Sequence, residues 1–172
     1  MPYVEIACRA LLITVFLIAV AGKVRGRTAF QEFTASLTTL GIFSRAGSAV
    51  AAYALVGAEA VTPLLLVSPP TAPLGFAAAT GTLAVLTGGV LIALRRGRRT
   101  PCRCFGRTAT PLGPAHVIRN LILTAIGCTG LVAWAAGGAA AHPAGVALAL
   151  AAAVVGALLV VRLDDLMELF TA

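Results

Sequence analysis

Two cysteines separated by one residue, Cys102 and Cys104, are the residues of this chain best suited to chemistry. In an extended segment, side chains at i and i+2 point to the same side, so the two sulfur atoms can meet. A disulfide between them closes a very small ring, and strained disulfides are reduced more readily than structural ones. Nearby guanidinium groups, including that of Arg103, favour the thiolate, which is the nucleophile in disulfide exchange. The spacing therefore favours reversible thiol–disulfide chemistry.

Two other interpretations of the cysteine pair stay open at this point. Two thiolates also suit a soft metal such as Cu(I) or Zn(II). The other interpretation is that two small residues occur together in a loop by chance. Phe105 and Gly106 follow the pair, and the glycine permits a sharp turn after the aromatic residue.

Four ionisable residues outside the cysteine loop are candidates for supporting roles. Glu59 lies within an apolar run, where a carboxylate marks either a proton-relay site or a hydrogen bond to a neighbouring helix. Arg119 either extends to the membrane interface or faces inward, where it can pair with Glu59 or Glu32 or hold an anionic group. His116 can exchange protons with the thiols or serve as an interfacial polar residue. Lys23 is typical of a topology anchor at the end of a span.

The remaining cysteines, Cys8 and Cys128, lie in apolar runs and are expected to pack as small hydrophobic residues. A relay of redox equivalents from the loop to Cys128 is the alternative. The two histidines, His116 and His142, lie at opposite ends of one apolar segment, so the sequence offers no ordinary zinc set and no metal site is predicted.

Composition places the chain in a membrane. Of 172 residues, 59% are hydrophobic and 11% are charged, whereas a soluble domain carries about 25% charged residues. The net charge of +7 is concentrated in two connecting segments, without the interleaved aromatic residues of a nucleic-acid site, so no nucleic-acid partner is predicted. The lipid bilayer is the expected surrounding.

Hydropathy predicts an all-α integral membrane protein that forms a single domain over residues 1–172. A four-helix transmembrane bundle forms its core, and a fifth C-terminal span follows. The predicted spans are 3–22, 47–67, 73–94, 115–137 and 144–163, and the cysteine loop covers 95–114.

A short amphipathic helix is predicted at 28–40, after the first span. Apolar residues recur at three- and four-residue steps from Phe30 to Leu40, opposite polar ones. Thr28 and Gln31 fit a capping box, and Gly41 fits a C′ glycine. Such a helix either lies on the membrane surface, roofs the bundle, or packs on other loops.

The distribution of Lys and Arg predicts the orientation. With five spans, the first loop, the cysteine loop and the C-terminus share one side, which carries every Lys and Arg except Arg9. The positive-inside rule makes that side cytoplasmic and puts the N-terminus outside, in the plasma membrane of the cell.

Several ordered features together resemble the MauE (methylamine-utilisation) branch of the DoxX-like membrane proteins. They are Gly22-Lys23 at the end of the first span, the amphipathic segment ending in Gly41-Ile42, the acidic Glu59, Cys-x-Cys-Phe-Gly at 102–106, and Arg119-Asn120 opening the next span. The resemblance covers about residues 11–130.

The resemblance implies a four-helix core and a role in thiol–disulfide chemistry that supports a thioredoxin-like partner or the maturation of client proteins. By position, Cys102 and Cys104 are the implied redox pair, with Glu59, Lys23 and Arg119 as supporting residues. No cofactor is predicted; a quinone is compatible with such a protein, but the sequence contains no motif for one. A metal-binding or small-molecule transport bundle, or a membrane anchor subunit, are the competing functions.

The chain departs from the family in two respects. A fifth apolar segment extends beyond the four-span core. The charge distribution also places the cysteine loop in the cytoplasm, whereas disulfide formation normally takes place on the outer face.

Overall fold

The computed structural model describes residues 1–41, 44–96, 113–137 and 142–163, together with the backbone of 101–102 and 110–111. Within these residues the α-helices are α1 (Pro2–Val24), α2 (Arg27–Thr39), α3 (Arg45–Val67), α4 (Ala72–Arg95), α5 (Pro114–Ala135) and α6 (Pro143–Val161). A 3₁₀ turn, Pro69–Thr71, connects α3 to α4. All except α2 are long and apolar enough to cross a membrane, which confirms the predicted all-α fold with five spans.

The boundaries of the spans follow from local sequence. The observed helix ends differ from the predicted ones by at most two residues. Proline occupies the first or second position of four of the spanning helices, at Pro2, Pro73, Pro114 and Pro143. The first turn of a helix tolerates proline because its N–H groups have no partner within the helix.

Helix α1 lies at the centre of the arrangement. It packs against α3 and α5, while α4 packs against both of those helices and closes a four-helix ring. Helix α6 packs against α1 from outside the ring. Its contact face is built from small residues, including Ala149, Ala153 and Ala157, which let the two backbones approach closely.

The ring has a tightly packed apolar core. Its members come from all four ring helices: Leu12, Val15, Phe16, Leu66, Phe76, Leu83 and Leu123. Gly130 of α5 is part of this packing, because a Cβ at that position would lie 2.3 Å from the Phe76 ring. The outward faces carry exposed leucines and valines instead, as expected where the surrounding lipid is as apolar as leucine.

An arginine of α1 caps the end of α3 that lies away from the cysteine loop. Arg9 donates from Nε to the carbonyl of Leu66 and from Nη2 to that of Val67, both at 2.8 Å. Its Nη1 also pairs with Glu5 one turn earlier, at 3.0 Å. The last carbonyls of a helix have no helical donors, so the guanidinium both satisfies them and joins α1 to α3.

Helix α3 also contains a buried proline, Pro63, within its length. The helix continues through this residue to Val67, and Thr62 beside it donates its hydroxyl to the carbonyl of Ala58 at 2.8 Å. Spanning helices tolerate an internal proline where neighbouring groups satisfy the backbone.

The amphipathic helix α2 forms as predicted, but its predicted start was wrong. The N-cap is Gly26, and Thr28 lies in the first turn without a side-chain capping bond. Because α1 continues to Val24, only two residues separate the helices, and α2 begins one residue before the expected cap. The predicted end is confirmed: Gly41 has φ of 65°, and its N–H donates to the carbonyl of Thr38 at 3.0 Å.

Part of the cysteine loop is described as a short antiparallel pairing. Strand β1 (Pro101–Cys102) pairs with β2 (Thr110–Pro111), so that Cys102 lies opposite Thr110. Residues Arg103, Cys104, Phe105 and Gly106 lie outside the described residues. The backbone of β1 lies beside α2, with Cα atoms of the two elements within 8 Å.

Candidate functional site

A buried ion pair joins α1 to α3. The Nζ atom of Lys23 lies 2.7 Å from both carboxylate oxygens of Glu59, and each side chain is 3% exposed. The two residues are 36 positions apart in the chain, and helix packing brings them together. Lys23 is thus more than a topology anchor, because its charge is neutralised by a carboxylate inside the protein.

The amphipathic helix covers this pair. Phe33, the most deeply buried residue of α2, places its ring 5.0 Å from Lys23 Nζ, within the range of a cation–π contact. At the other end of α2, Leu40 packs against Val90 and Ala93 of α4 together with Val117 of α5. Helix α2 therefore crosses from the α1–α3 side of the bundle to the α4–α5 side, and its apolar face roofs the ring.

A second set of buried polar residues lies on α5. His116, Arg119 and Asn120 are each at most 4% exposed, and they share one face of the helix with the core residue Leu123. Their spacing of three and four residues is that of a single helical face. At 2% exposure, Arg119 is enclosed by protein and does not extend to the membrane interface as a snorkelling arginine would.

These polar groups cluster at one end of the bundle, which we call the loop end. It is the end where α1 and α4 finish and α3 and α5 begin, and the cysteine loop joins α4 to α5 there. Lys23 is the second-last residue of α1, and His116, Arg119 and Asn120 occupy the first two turns of α5. Thr87 of α4 is also buried and donates to the carbonyl of Leu83. The interior is therefore polar towards the loop end and apolar beyond it.

The structure locates the predicted cysteines only in part. Cys102 belongs to β1, next to the roof helix α2, and only its backbone is described. Cys104 lies outside the described residues, so the approach of the two sulfur atoms stays a prediction. Cys8 is a buried free thiol whose Cβ lies against Gly130. Cys128 is a free thiol on the exposed side of α5, and its role as a relay stays a prediction.

Sequence reasoning missed two features of this site. It considered Arg119 as a partner of Glu59, whereas in the structure the Glu59 carboxylate binds Lys23. It also assigned Phe33 to an apolar face without identifying the cation that this ring covers. The available signal was that Glu59 is the single acidic residue inside the three central apolar segments, while Lys23 ends the preceding span.

Comparison with known proteins identifies the family. The family model for the methylamine utilisation protein MauE matches residues 1–135, which is the region from α1 to the end of α5. Helix α6 lies beyond the matched region. No match was found among curated proteins or among solved structures. Since the match covers most of the chain and the fold is a multi-pass helical bundle, the protein belongs to the MauE family of membrane proteins, which is linked to methylamine utilisation.

Proposed function

We propose that this protein exchanges thiols and disulfides with a thioredoxin-like partner through Cys102 and Cys104. The observation that carries the proposal is the position of β1. The strand that contains Cys102 lies against α2, the helix whose Phe33 covers the buried Lys23–Glu59 pair. The described backbone at Cys102 thus lies beside the helix that roofs the polar end of the bundle.

The chemistry transfers two electrons and two protons in each cycle. A thiolate of the reduced partner attacks one sulfur of the Cys102–Cys104 disulfide and displaces the other sulfur as a thiolate. The partner's second thiolate then attacks the mixed disulfide, which releases the oxidised partner and two thiols on this chain. The reverse sequence reduces the partner, and the relative reduction potentials of the two pairs set the direction.

The supporting residues supply fixed charge and hydrogen-bonding groups beneath the loop. Arg119 is cationic, and a cationic group near a thiol favours its thiolate form. In this proposal His116 exchanges protons with the leaving thiolate, and Glu59 balances the charge of Lys23. Burial of all four groups at the loop end supports this assignment, because rigidly held side chains keep a fixed position relative to a reacting group.

An alkylation assay on the purified full-length protein tests the proposal. The protein is equilibrated in buffers of defined glutathione potential, trapped with a polyethylene-glycol maleimide and resolved by gel shift. We expect two thiols to change state together, and both Cys102→Ser and Cys104→Ser to abolish that change. Cys8→Ser and Cys128→Ser are matched controls, in which the paired change persists with one fewer constitutive shift.

The same sample distinguishes the competing functions. A wild-type gel pattern that does not depend on potential would overturn the redox proposal. Tightly bound Cu or Zn, removed by the same two substitutions, would instead assign the cysteines to a metal site. If the Cys102→Ser/Cys104→Ser variant still supports the partner's activity in full, the protein acts as an anchor subunit instead.

The side of the membrane on which the pair reacts is part of the proposal. The distribution of Lys and Arg assigns the loop to the cytoplasm. A loop on that side exchanges electrons with cytoplasmic thiols and does not oxidise secreted clients directly. Labelling of whole cells with a membrane-impermeant maleimide should then leave Cys102 and Cys104 unmodified until the cells are opened.

A further inference from the structure

An open groove on the outside of the bundle runs between α2 and the first three turns of α3. Its volume is about 930 Å³, which is in the range of sites that hold organic ligands. The groove is formed by the face of α2 that turns away from the roofed ion pair. It is therefore separate from the buried Lys23–Glu59 pair.

One wall of the groove is apolar and aromatic. Phe30 of α2 and Tyr53 of α3 are in contact, with ring centroids 4.7 Å apart and ring planes tilted by 42°. Tyr53 remains 69% exposed despite this contact, so much of its ring is open to the groove. Ala35 and Ala49 continue the wall towards the start of α3 without obstructing it.

The groove is also positively charged. Arg27 opens α2 and Arg45 opens α3, and both side chains line the groove and are exposed. Neither guanidinium forms a hydrogen bond or ion pair with the described part of the chain, and no acidic residue is among the described residues that line the groove. The threonine hydroxyls of α2 that line the groove, including that of Thr38, already donate to carbonyls of their own helix, so the positive character of the groove comes from the two arginines.

We propose that this groove binds one anionic phospholipid, with the phosphate held by Arg27 and Arg45 and an acyl chain lying on the Phe30–Tyr53 wall. Charge complementarity selects the headgroup, because guanidinium groups match phosphate oxygens in geometry as well as in charge. The apolar wall selects a lipid over free phosphate, which has no group to place there. The position at the basic end of the spans puts the groove where lipid headgroups are found.

Native mass spectrometry of the full-length protein tests this site. The protein is released from detergent in the presence of equal amounts of phosphatidylglycerol and phosphatidylcholine with identical acyl chains. We expect preferential retention of phosphatidylglycerol. Arg27→Gln and Arg45→Gln should each weaken that preference by about fivefold, which is the effect of one basic residue at an anionic surface.

A matched control distinguishes lipid binding in the groove from attraction by any basic residue at this end of the bundle. Arg95 is an exposed arginine in the last turn of α4, at the same end of the bundle but outside the groove. Arg95→Gln should change the preference by less than about twofold, as expected for a charge that does not contact the lipid. Equal retention of the two lipids by the wild type, or an equal loss in Arg95→Gln, would overturn the proposal.

Two further measurements test the identity of the ligand. Tyr53→Ala should lower retention of both lipids by a similar factor, because it removes the exposed ring of the acyl wall and keeps both arginines. Unchanged retention would refute the role of the wall. Circular dichroism verifies that each variant keeps its helix content. Displacement of phosphatidylglycerol by millimolar inorganic phosphate would show a phosphate site and overturn the assignment to lipid. Each result leaves the cysteine assay unaffected, so the two proposals fail independently.

Discussion

Replacing either member of the Lys23–Glu59 pair should destabilise the protein far more than replacing both. The carboxylate lies 2.7 Å from the ammonium through each of its oxygens, and both side chains are 3% exposed. Removing one partner of such a buried pair costs about 3–5 kcal/mol. We therefore expect Lys23→Met and Glu59→Gln each to lower the free energy of unfolding by about 3 kcal/mol.

The double variant Lys23→Met/Glu59→Gln should recover most of this loss. It removes both charges together, and replacement of a complete buried pair is often close to neutral. A coupling energy of at least about 3 kcal/mol should result from the double-mutant cycle. The cation–π contact with Phe33 at 5.0 Å is too weak to hold the ammonium alone, since such contacts contribute about 0.5–2 kcal/mol.

Equilibrium unfolding in mixed detergent micelles, followed by circular dichroism, measures these changes. Glu5→Gln is the matched control, because it makes the same substitution in the partly exposed pair with Arg9, where about 1 kcal/mol or less is expected. A Glu59→Gln variant no less stable than Glu5→Gln would refute the reasoning. So would a double variant whose loss equals the sum of the two single losses.

Two packing contacts lead to further predictions. Gly130→Ala should lower stability by about 1–3 kcal/mol, because a Cβ there would lie 2.3 Å from an aromatic ring. Gly81→Ala, which meets nothing within 4 Å, should be neutral or stabilising, and equal effects in thermal unfolding would contradict the packing. Arg9→Gln should lower stability by about 2 kcal/mol through loss of charged hydrogen bonds to the carbonyls of Leu66 and Val67. Arg9→Lys should restore only part of it, and full recovery would show that the two-armed geometry is unimportant.

The spans could be predicted because hydrocarbon thickness imposes their length. About 20 apolar residues are needed to cross the bilayer whatever their neighbours, and the observed helices fit that requirement. The start of α2 was wrong for a different reason. Thr28 and Gln31 form a valid local pattern, but the continuation of α1 to Val24 places the cap at Gly26. Where one helix stops decides where the next begins, and a local pattern does not contain that information.

The sequence identified the buried polar residues as candidates but not the contacts that they make. Glu59 was identifiable because a carboxylate in an apolar segment is costly. Its partner depended on which face of α1 meets α3, and the sequence does not specify how helices are rotated about their axes. The same is true of Phe33, whose apolar position was predictable and whose contact with Lys23 was not.

Helix α3 consists of two lengths that contact different neighbours and meet at a turn lacking one helical hydrogen bond. Proline has no N–H, so the carbonyl of Glu59 does not receive the hydrogen bond that residue 63 would otherwise give. The length before this turn is held by the contact of Tyr53 with Phe30 of α2, and the length after it by Arg9 of α1. The helix therefore bends most easily at the turn that carries the buried carboxylate. The ion pair of Glu59 with Lys23 therefore supports α3 at the turn where its own backbone is weakest.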